Sequence, residues 1–293
     1  MDRRSFLRAI PLTAAMPYAL NGASLGRLLT GGDADADICA SKFSMAVSLG
    51  LRDKPIGEVM VAIGKSFLGA EYLAHTLEEA GPEHLVVNLR AFDCVSFYEN
   101  CLVLARCVKL NRMTFDEYKK QLQFIRYRSG VIDGYPSRLH YTSDYFFDNV
   151  KKGVVRDVTE EIGGVPFEKT VDFMTKHVDS YVKLEEHPEF VPVIAEQERA
   201  ITKRKKFYVP KDAVAGVASK LQDGDIIGIT TNIEGMDVTH TGLALWQDKE
   251  LHFMHAPITG AKVQITPGPL AEYLAKFKKD TGIMVARPLE PKA

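Results

Sequence analysis

The segment AFDCVSFYENCLVLARCVKL contains the residue best placed to act as a nucleophile, Cys94. It begins an amphipathic run that predicts a helix, and Asp93 before it is a suitable N-cap. A thiol in the first helical turn feels the positive end of the helix dipole, which favours the reactive thiolate. Backbone N–H groups at the same place can bind a developing oxyanion. A cysteine at a helix start is nevertheless more often a packed residue than a catalyst, so a base is needed.

The segment HTGLALWQDKELHFMHAP predicts a β-hairpin that brings two histidines together. Its alternating pattern turns near Asp248–Lys249. If Gln247 pairs with Glu250, His240 lies diagonally across from His255 on the same face of the hairpin. One imidazole could then act as a general base and the other could fix its tautomer, as in a catalytic triad.

The elements that must position these residues change in type along the chain. Apolar residues recur every three or four positions from 56 to 205, which predicts helices, whereas short Val-, Ile- and Thr-rich runs from 223 to 290 predict strands. Helices followed by strands indicate an α+β fold with helices packed on an antiparallel sheet. We expect residues 29–293 to form a single catalytic domain, in which a helical insertion covers about 111–205.

The N-terminal residues predict export. Residues 1–28 contain paired arginines, a short apolar run and small residues, the order of a twin-arginine signal peptide. The run is too short to span a bilayer, so we expect no stable membrane anchor after processing and a periplasmic location. The formal charge of -1 would become about -3 after cleavage, which does not favour a nucleic-acid partner. Four cysteines, at 39, 94, 101 and 107, do not form a dense disulfide pattern.

Four short motifs follow one another along the chain. They are Asp93–Cys94, Gly224–Asp225, the HTG segment from His240 to Gly242, and His255–Ala256. Together they resemble the NlpC-type papain-like cysteine peptidases of bacterial cell walls. An additional Gly-x-x-Tyr segment, which contains Tyr72, is similar to the one that precedes the catalytic cysteine in that family, where the tyrosine borders the active site.

The chain departs from this pattern in two places. Val95-Ser96-Phe97 replaces the usual serine and glycine after the cysteine, and the long helical insertion contains PSRLHYTSDYFFDN. With these features the chain resembles a divergent branch of the family, the N-acetylmuramoyl-L-alanine amidases. The resemblance implies a papain-like core and hydrolysis of the amide between muramic acid and L-alanine in a muropeptide or peptidoglycan fragment. It implies Cys94 as nucleophile, His240 as base and His255 as the residue that orients the base, with no cofactor and no metal.

Further residues are candidates for substrate contacts. Tyr72 could assist oxyanion stabilisation. Arg138, His140 and Asp144 could bind the carboxylates and amides of a muropeptide, although a surface ion pair explains Arg138 and Asp144 about equally well. Asp93 could meet a substrate amine or could only cap the helix.

Other functions remain open at this stage. A γ-D-glutamyl endopeptidase would cut within the stem peptide and would need an amine pocket near Asp93. A non-catalytic wall-binding protein, or a zinc site made of Cys94, His240 and His255, is also compatible with the residue types, although a second pair of close zinc ligands is missing. No wall-anchoring module is recognisable in the sequence, so we expect a preference for small soluble muropeptides.

Overall fold

The structure is a computed structural model that describes residues 32–292, so the predicted signal peptide lies outside the described residues. Helices dominate its first two thirds, as the sequence predicts. The α-helices are α1 (Gly32–Ser48), α2 (Ile56–Lys65), α3 (Cys94–Lys109), α4 (Phe115–Arg126), α5 (Thr142–Lys151), α6 (Thr159–Ile162), α7 (Phe173–Lys176), α8 (Val182–Glu186), α9 (Phe190–Lys203), α10 (Val214–Val217) and α11 (Leu270–Ala275).

Strands dominate the last third. The strands are β1 (Glu71–Tyr72), β2 (Ala91–Phe92), β3 (Val155–Asp157), β4 (Val165–Pro166), β5 (Phe207–Pro210), β6 (Ile226–Thr231), β7 (Val238–Gln247), β8 (Glu250–His255), β9 (Gln264–Ile265) and β10 (Asp280–Pro288). Strands β1 and β2 form a small parallel pair. The main sheet has the order β4-β5-β10-β6-β7-β8-β9, with β3 paired to β10, and these pairings are antiparallel. The predicted α+β class is therefore confirmed.

Helix α3 is the central element of the helical layer. It packs against α2, α4 and strand β7, and its residues from 96 to 108 are buried on all sides. A helix that is buried all round needs a large apolar environment, and Phe97, Leu102 and Leu104 share one core with Leu243 and Leu245 of β7. This packing fixes the start of α3 against strand β7 of the sheet.

The sheet has an apolar core on each face because its side chains alternate. Leu243 and Met254 point toward the helical layer, whereas Ala244 and Phe253 point to a second core that also contains Leu270 of α11. The middle strands thus need apolar residues at nearly every position, and β6 is buried throughout.

The segment predicted as wholly helical differs from the prediction in its second half. Strand β3 adds to β10, and β4 adds to β5. The run from 171 to 184 forms two short helices, α7 and α8, instead of one. The reason is tertiary: Val171, Met174 and Leu184 are all buried in a third core, so packing overrides the helical period.

This third core lies inside the helical insertion. It joins α7, α8 and α9 to the loop before α5 through Tyr135 and Tyr141. Aromatic side chains from this part of the chain contribute to the walls of the cavity described below. Within residues 32–292, no helix combines the length and the apolar character needed to cross a membrane.

Candidate active site

The start of α3 is held by the N-cap that the sequence predicts. The Asp93 Oδ1 atom accepts hydrogen bonds from the backbone N–H groups of Val95 (3.0 Å) and Ser96 (2.7 Å). The Ser96 hydroxyl accepts one in return from the backbone N–H of Asp93, which completes a capping box. The second carboxylate oxygen accepts a hydrogen bond from the Thr76 hydroxyl at 2.8 Å. Asp93 is thus engaged at both oxygens, and its side chain does not use the N–H of Cys94 itself.

The predicted hairpin register is confirmed. Gln247 pairs with Glu250, and the Nε2 atom of His240 lies 2.7 Å from the Nδ1 atom of His255. Gly242 follows His240 by two residues, and no larger side chain fits at this position. A Cβ atom there would lie 2.5 Å from the carbonyl oxygen of Met254. The hairpin therefore needs glycine in its HTG motif so that the two imidazoles can meet.

His255 is completely buried among aromatic rings. Its ring centroid lies 4.7 Å from that of Phe253 and 5.0 Å from that of Tyr273. Its Nδ1 atom faces His240, whereas its Nε2 atom has no partner among the described residues. If His240 is to present a free Nδ1 lone pair, its proton must sit on Nε2 and point at His255.

Thr241 connects the strand of the base with the helix of the nucleophile. Its hydroxyl donates a hydrogen bond to the backbone carbonyl oxygen of Cys94 at 2.9 Å. Thr241 is 1% exposed, so this bond is shielded from water. No pattern in the sequence indicates this contact, because the two residues are 147 positions apart.

Cys94, His240 and Thr241 line one cavity of about 260 Å³. The helical insertion contributes aromatic side chains to the same cavity, together with His140. These aromatic residues are Tyr135, Tyr141, Phe173 and Tyr181. A thiol, an imidazole and a substrate-sized space therefore occur together, as thiol catalysis requires.

The resting protonation states oppose the prediction of a lowered thiol pKa at Cys94. Burial, followed by the negative charge of Asp93, raises the pKa of Cys94 to about 11, and hydrogen bonds from Thr241 and the Cys94 backbone only partly offset this. Burial lowers the pKa of His240 to about 4. The expectation from the helix dipole is thus wrong for the free enzyme, because desolvation outweighs it. The resting pair is a neutral thiol and a neutral imidazole.

Arg138 does not line the cavity, and its guanidinium has protein partners. The group donates to Glu78 at 2.7 Å and to the backbone carbonyl oxygen of Leu77 at 2.6 Å, and it lies over the ring of Tyr135 at 4.9 Å. The side chain is 4% exposed. The structure therefore gives Arg138 the role of holding the Glu78 loop, in place of the predicted direct grip on a substrate carboxylate.

The other two candidates from the same motif differ from each other. Asp144 is 1% exposed and forms ion pairs with Arg128, at 2.6 Å, and with Arg204, so its carboxylate is satisfied inside the protein. His140 lines the cavity, and its Nε2 atom lies 2.9 Å from the carbonyl oxygen of Tyr135. Burial, followed by the charge of Arg138, lowers the pKa of His140 to about 3, so it faces the cavity as a neutral ring.

Tyr72 lies near the nucleophile. Strand β1 pairs Tyr72 with Phe92, two residues before Cys94, and the Tyr72 backbone N–H donates to Ala261 at 2.8 Å. Burial and then the negative charges of ionised Cys94 and Asp93 raise the pKa of Tyr72 to about 12. Its hydroxyl therefore keeps its proton and remains a hydrogen-bond donor at neutral pH.

The three residues of the alternative zinc site do not have ligand geometry. A shared metal would need nitrogen lone pairs that converge, whereas the facing nitrogens of His240 and His255 bond to each other. Within residues 32–292, no group of three or more His, Cys, Asp or Glu side chains is arranged to hold a metal ion.

Comparison with known proteins gives a consistent family. A family model described as N-acetylmuramoyl-L-alanine amidase-like (AmiA-like) matches residues 62–283. An N-acetylmuramoyl-L-alanine amidase from Bacteroides uniformis has a crystal structure that is 37% identical, with a TM-score of 0.77, over 80% of this chain and 99% of that chain. A Bacteroides fragilis protein, provisionally named a xylanase, is 36% identical with a TM-score of 0.70, over 76% of this chain and 98% of that chain.

A more distant structure shares the fold alone. A protein from Legionella pneumophila is 20% identical with a TM-score of 0.64, over 86% of this chain and 95% of that chain. A search of the curated proteins found no match.

Proposed function

The chain belongs to the N-acetylmuramoyl-L-alanine amidase-like family, and on that premise we propose that it hydrolyses the amide bond between N-acetylmuramic acid and L-alanine with Cys94 as the nucleophile. The observation that carries this proposal is that His240 lines the same cavity as Cys94 and lies 2.7 Å from the buried His255. A base whose tautomer is fixed by a second ring, in one cavity with a thiol, fits nucleophile-base-orienter catalysis.

The first chemical step follows from the resting protonation states. Because the Cys94 pKa is raised to about 11 and the His240 pKa is lowered to about 4, the proton has to leave the thiol as the sulfur attacks. The Sγ–H proton passes to Nδ1 of His240 while Sγ bonds to the lactyl carbonyl carbon. The His240 Nε2–H donates to Nδ1 of His255, which stabilises the imidazolium in the orientation that the step requires.

The second step releases the peptide. The negative charge on the former carbonyl oxygen is stabilised by the backbone N–H of Cys94 and by the hydroxyl of Tyr72, and losing one such donor typically costs about a hundredfold in rate. The C–N bond breaks as His240 returns its proton to the nitrogen of L-alanine. Water, deprotonated by His240, then attacks the thioester carbonyl carbon. The C–S bond breaks, muramic acid leaves as a carboxylic acid that ionises, and His240 returns the proton to Sγ to regenerate the thiol.

The broader context of this proposal comes from the resemblance. The fold would be a papain-like core of the NlpC type, with residues 29–293 as one catalytic domain. The substrate would be a peptidoglycan fragment in the periplasm, reached by export through the twin-arginine signal. The cavity of about 260 Å³ suits part of a small soluble muropeptide.

The runner-up is the γ-D-glutamyl endopeptidase. In that reading Asp93 would bind the free amine of a stem peptide. Its carboxylate already accepts hydrogen bonds from two backbone amides and from Thr76. Because both carboxylate oxygens of Asp93 already have partners, this arrangement favours the amidase.

Mass spectrometry of products identifies the bond that is cut. A purified disaccharide-tetrapeptide should give a sugar without peptide and a peptide that starts at L-alanine. A sugar that still carries L-Ala-D-Glu would reject the amidase in favour of the endopeptidase. Faster release from intact sacculi than from soluble fragments would reject the preference for small substrates.

The thiol mechanism has its own test. The Cys94→Ala and His240→Ala variants should lose turnover while retaining the fold measured by circular dichroism. Iodoacetamide should inactivate the wild type, and EDTA should not. The other cysteines, Cys39, Cys101 and Cys107, are 0% exposed, so peptide mapping should find the first adduct on Cys94. Near-wild-type turnover by Cys94→Ala would end the nucleophile hypothesis.

A further inference from the structure

The charged residues that line the active-site cavity are both acidic. They are Glu78 and Asp237, and within residues 32–292 no lysine or arginine lines this cavity. Arg138, the nearest candidate, lies below the surface and is bound to Glu78. The cavity lining therefore offers carboxylate oxygens that can accept a hydrogen bond from a cation, and no cationic side chain that can bind a carboxylate.

Only one of the two acids is available to a ligand. Asp237 is 1% exposed, and its two oxygens accept hydrogen bonds from the backbone N–H groups of Ser143, at 2.8 Å, and Val238, at 2.7 Å. The Glu78 side chain is 33% exposed. Its Oε1 atom accepts from Arg138 at 2.7 Å, whereas its Oε2 atom has no partner among the described residues. Glu78 is thus oriented by an ion pair and keeps one oxygen for a ligand.

Aromatic rings line the same cavity as Glu78. Tyr135, Phe173 and Tyr181 all contribute to the lining. Phe173 and Tyr181 are half-buried and can contact a ligand. Tyr135 is 1% exposed, and the Arg138 guanidinium lies over its ring at 4.9 Å. Its negative neighbour Glu78 also helps burial to raise the pKa of Tyr135, so the phenol stays neutral.

We propose that Glu78 and these rings form a subsite for a primary ammonium group of the substrate. A carboxylate binds such a cation by a charge-assisted hydrogen bond, and the rings of Phe173 and Tyr181 add cation–π attraction. This subsite rests on the proposed function because the ligand is taken to be a muropeptide. It adds a requirement for the substrate: the third residue of the stem peptide must carry a free side-chain amine.

The same ammonium chemistry has a second source, the N-terminal amine of a free stem peptide. This source would belong to the endopeptidase, since an amidase substrate has its L-alanine nitrogen acylated. Binding measurements on the full chain with Cys94→Ala separate the two, because they do not depend on which bond is cut. The ligands are a disaccharide-tripeptide with lysine as third residue, the same molecule with its lysine amine acetylated, and the free tripeptide with its lysine amine acetylated.

Calorimetry should show that acetylation of the lysine amine weakens binding of the disaccharide-tripeptide at least tenfold. The added Glu78→Gln substitution should reduce this discrimination to within about twofold, since an amide cannot supply the charge. The matched control is Glu79→Gln, because Glu79 does not line the cavity and pairs instead with His84 at 2.8 Å. That control should keep the tenfold discrimination.

Two results would overturn the ammonium subsite. The first is equal affinity for the disaccharide-tripeptides with free and acetylated lysine amines, together with weak binding of the free tripeptide. The second is a Glu78→Gln variant that still binds the free-amine ligand at least tenfold more tightly than the acetylated one. Tighter binding of the free tripeptide, abolished by Glu78→Gln, would support the subsite but assign it to an N-terminal amine, and would reject the amidase. Binding as proposed, with no muramoyl product from wild-type enzyme, would instead reject the proposed function alone.

Discussion

The hydroxyl of Thr241 donates a hydrogen bond to the backbone carbonyl oxygen of Cys94 at 2.9 Å, so the strand that carries His240 is tied directly to the helix that begins at Cys94. This contact fixes the distance between the two elements that supply the nucleophile and the base. It also satisfies a carbonyl in a place where Thr241 excludes water.

Replacement of Thr241 by valine should separate the two elements without unfolding the protein. The isosteric side chain keeps the packing but leaves the Cys94 carbonyl unsatisfied, which typically costs about 1–3 kcal/mol of stability. We expect kcat to fall about tenfold or more with little change in KM, because the geometry of attack changes and the rest of the cavity does not. Thr241→Ser keeps the hydroxyl and should recover most of kcat. A Thr241→Val enzyme with normal kcat would show that the bond is only structural.

Local features of the site could be predicted from the sequence. The capping role of Asp93 follows from its position before an amphipathic run, and the meeting of His240 and His255 follows from alternation across a tight turn. In both cases the partners are within 15 residues of each other, so the local periodicity of the sequence is enough to predict the contact.

Features that depend on distant contacts could not be predicted in the same way. The roles of Thr241 and Glu78 arise from packing between segments that are far apart in sequence. Arg138 is an example: the sequence leaves a substrate contact and an ion pair equally open, and the fold buries its guanidinium against Glu78 and Tyr135. The prediction of a lowered pKa for the Cys94 thiol is wrong because burial outweighs the helix dipole, and burial cannot be read from the local sequence.

The raised pKa of Cys94, about 11, predicts a steep pH dependence of alkylation. A raised pKa means that the thiolate is a small minority at neutral pH and grows as the pH approaches 11. The rate of iodoacetamide modification in the free enzyme should therefore rise roughly tenfold per pH unit between pH 7 and 10. A resting thiolate–imidazolium pair would instead give a flat rate over this range, and a flat rate would refute the neutral-pair description.

Removal of the Asp93 charge should make Cys94 easier to ionise. Asparagine caps helices about as well as aspartate, so Asp93→Asn should keep α3 intact while it deletes the charge that opposes the thiolate. We expect faster alkylation at pH 8 than in the wild type, with an unchanged melting temperature within a few degrees. Slower alkylation would show that Asp93 affects the thiol by orientation and not by charge.

The buried ion pair beneath the active-site helix should be important for stability. Glu99 of α3 is 1% exposed and accepts a hydrogen bond from the Arg126 guanidinium at 2.9 Å. Glu99→Ala would leave a buried arginine without its charged partner, which typically costs about 3–5 kcal/mol. Urea denaturation should show this loss. The exposed pair of Glu196 and Arg199 provides the control, since Glu196→Ala should leave the denaturation midpoint unchanged within error.

His255 should act by orienting His240, and two substitutions distinguish this from direct proton transfer. An asparagine oxygen can accept the same Nε2–H that Nδ1 of His255 accepts at 2.7 Å, so His255→Asn should retain part of the activity. His255→Ala removes the acceptor and frees the ring of His240, and it should cost about a hundredfold or more, the lower end of what a general base contributes. Burial lowers the pKa of His255 to about 3, so an orienting His255 stays neutral and adds no limb to the kcat/KM profile above pH 5. Total and equal loss in both variants would instead mean that His255 carries a proton in the reaction.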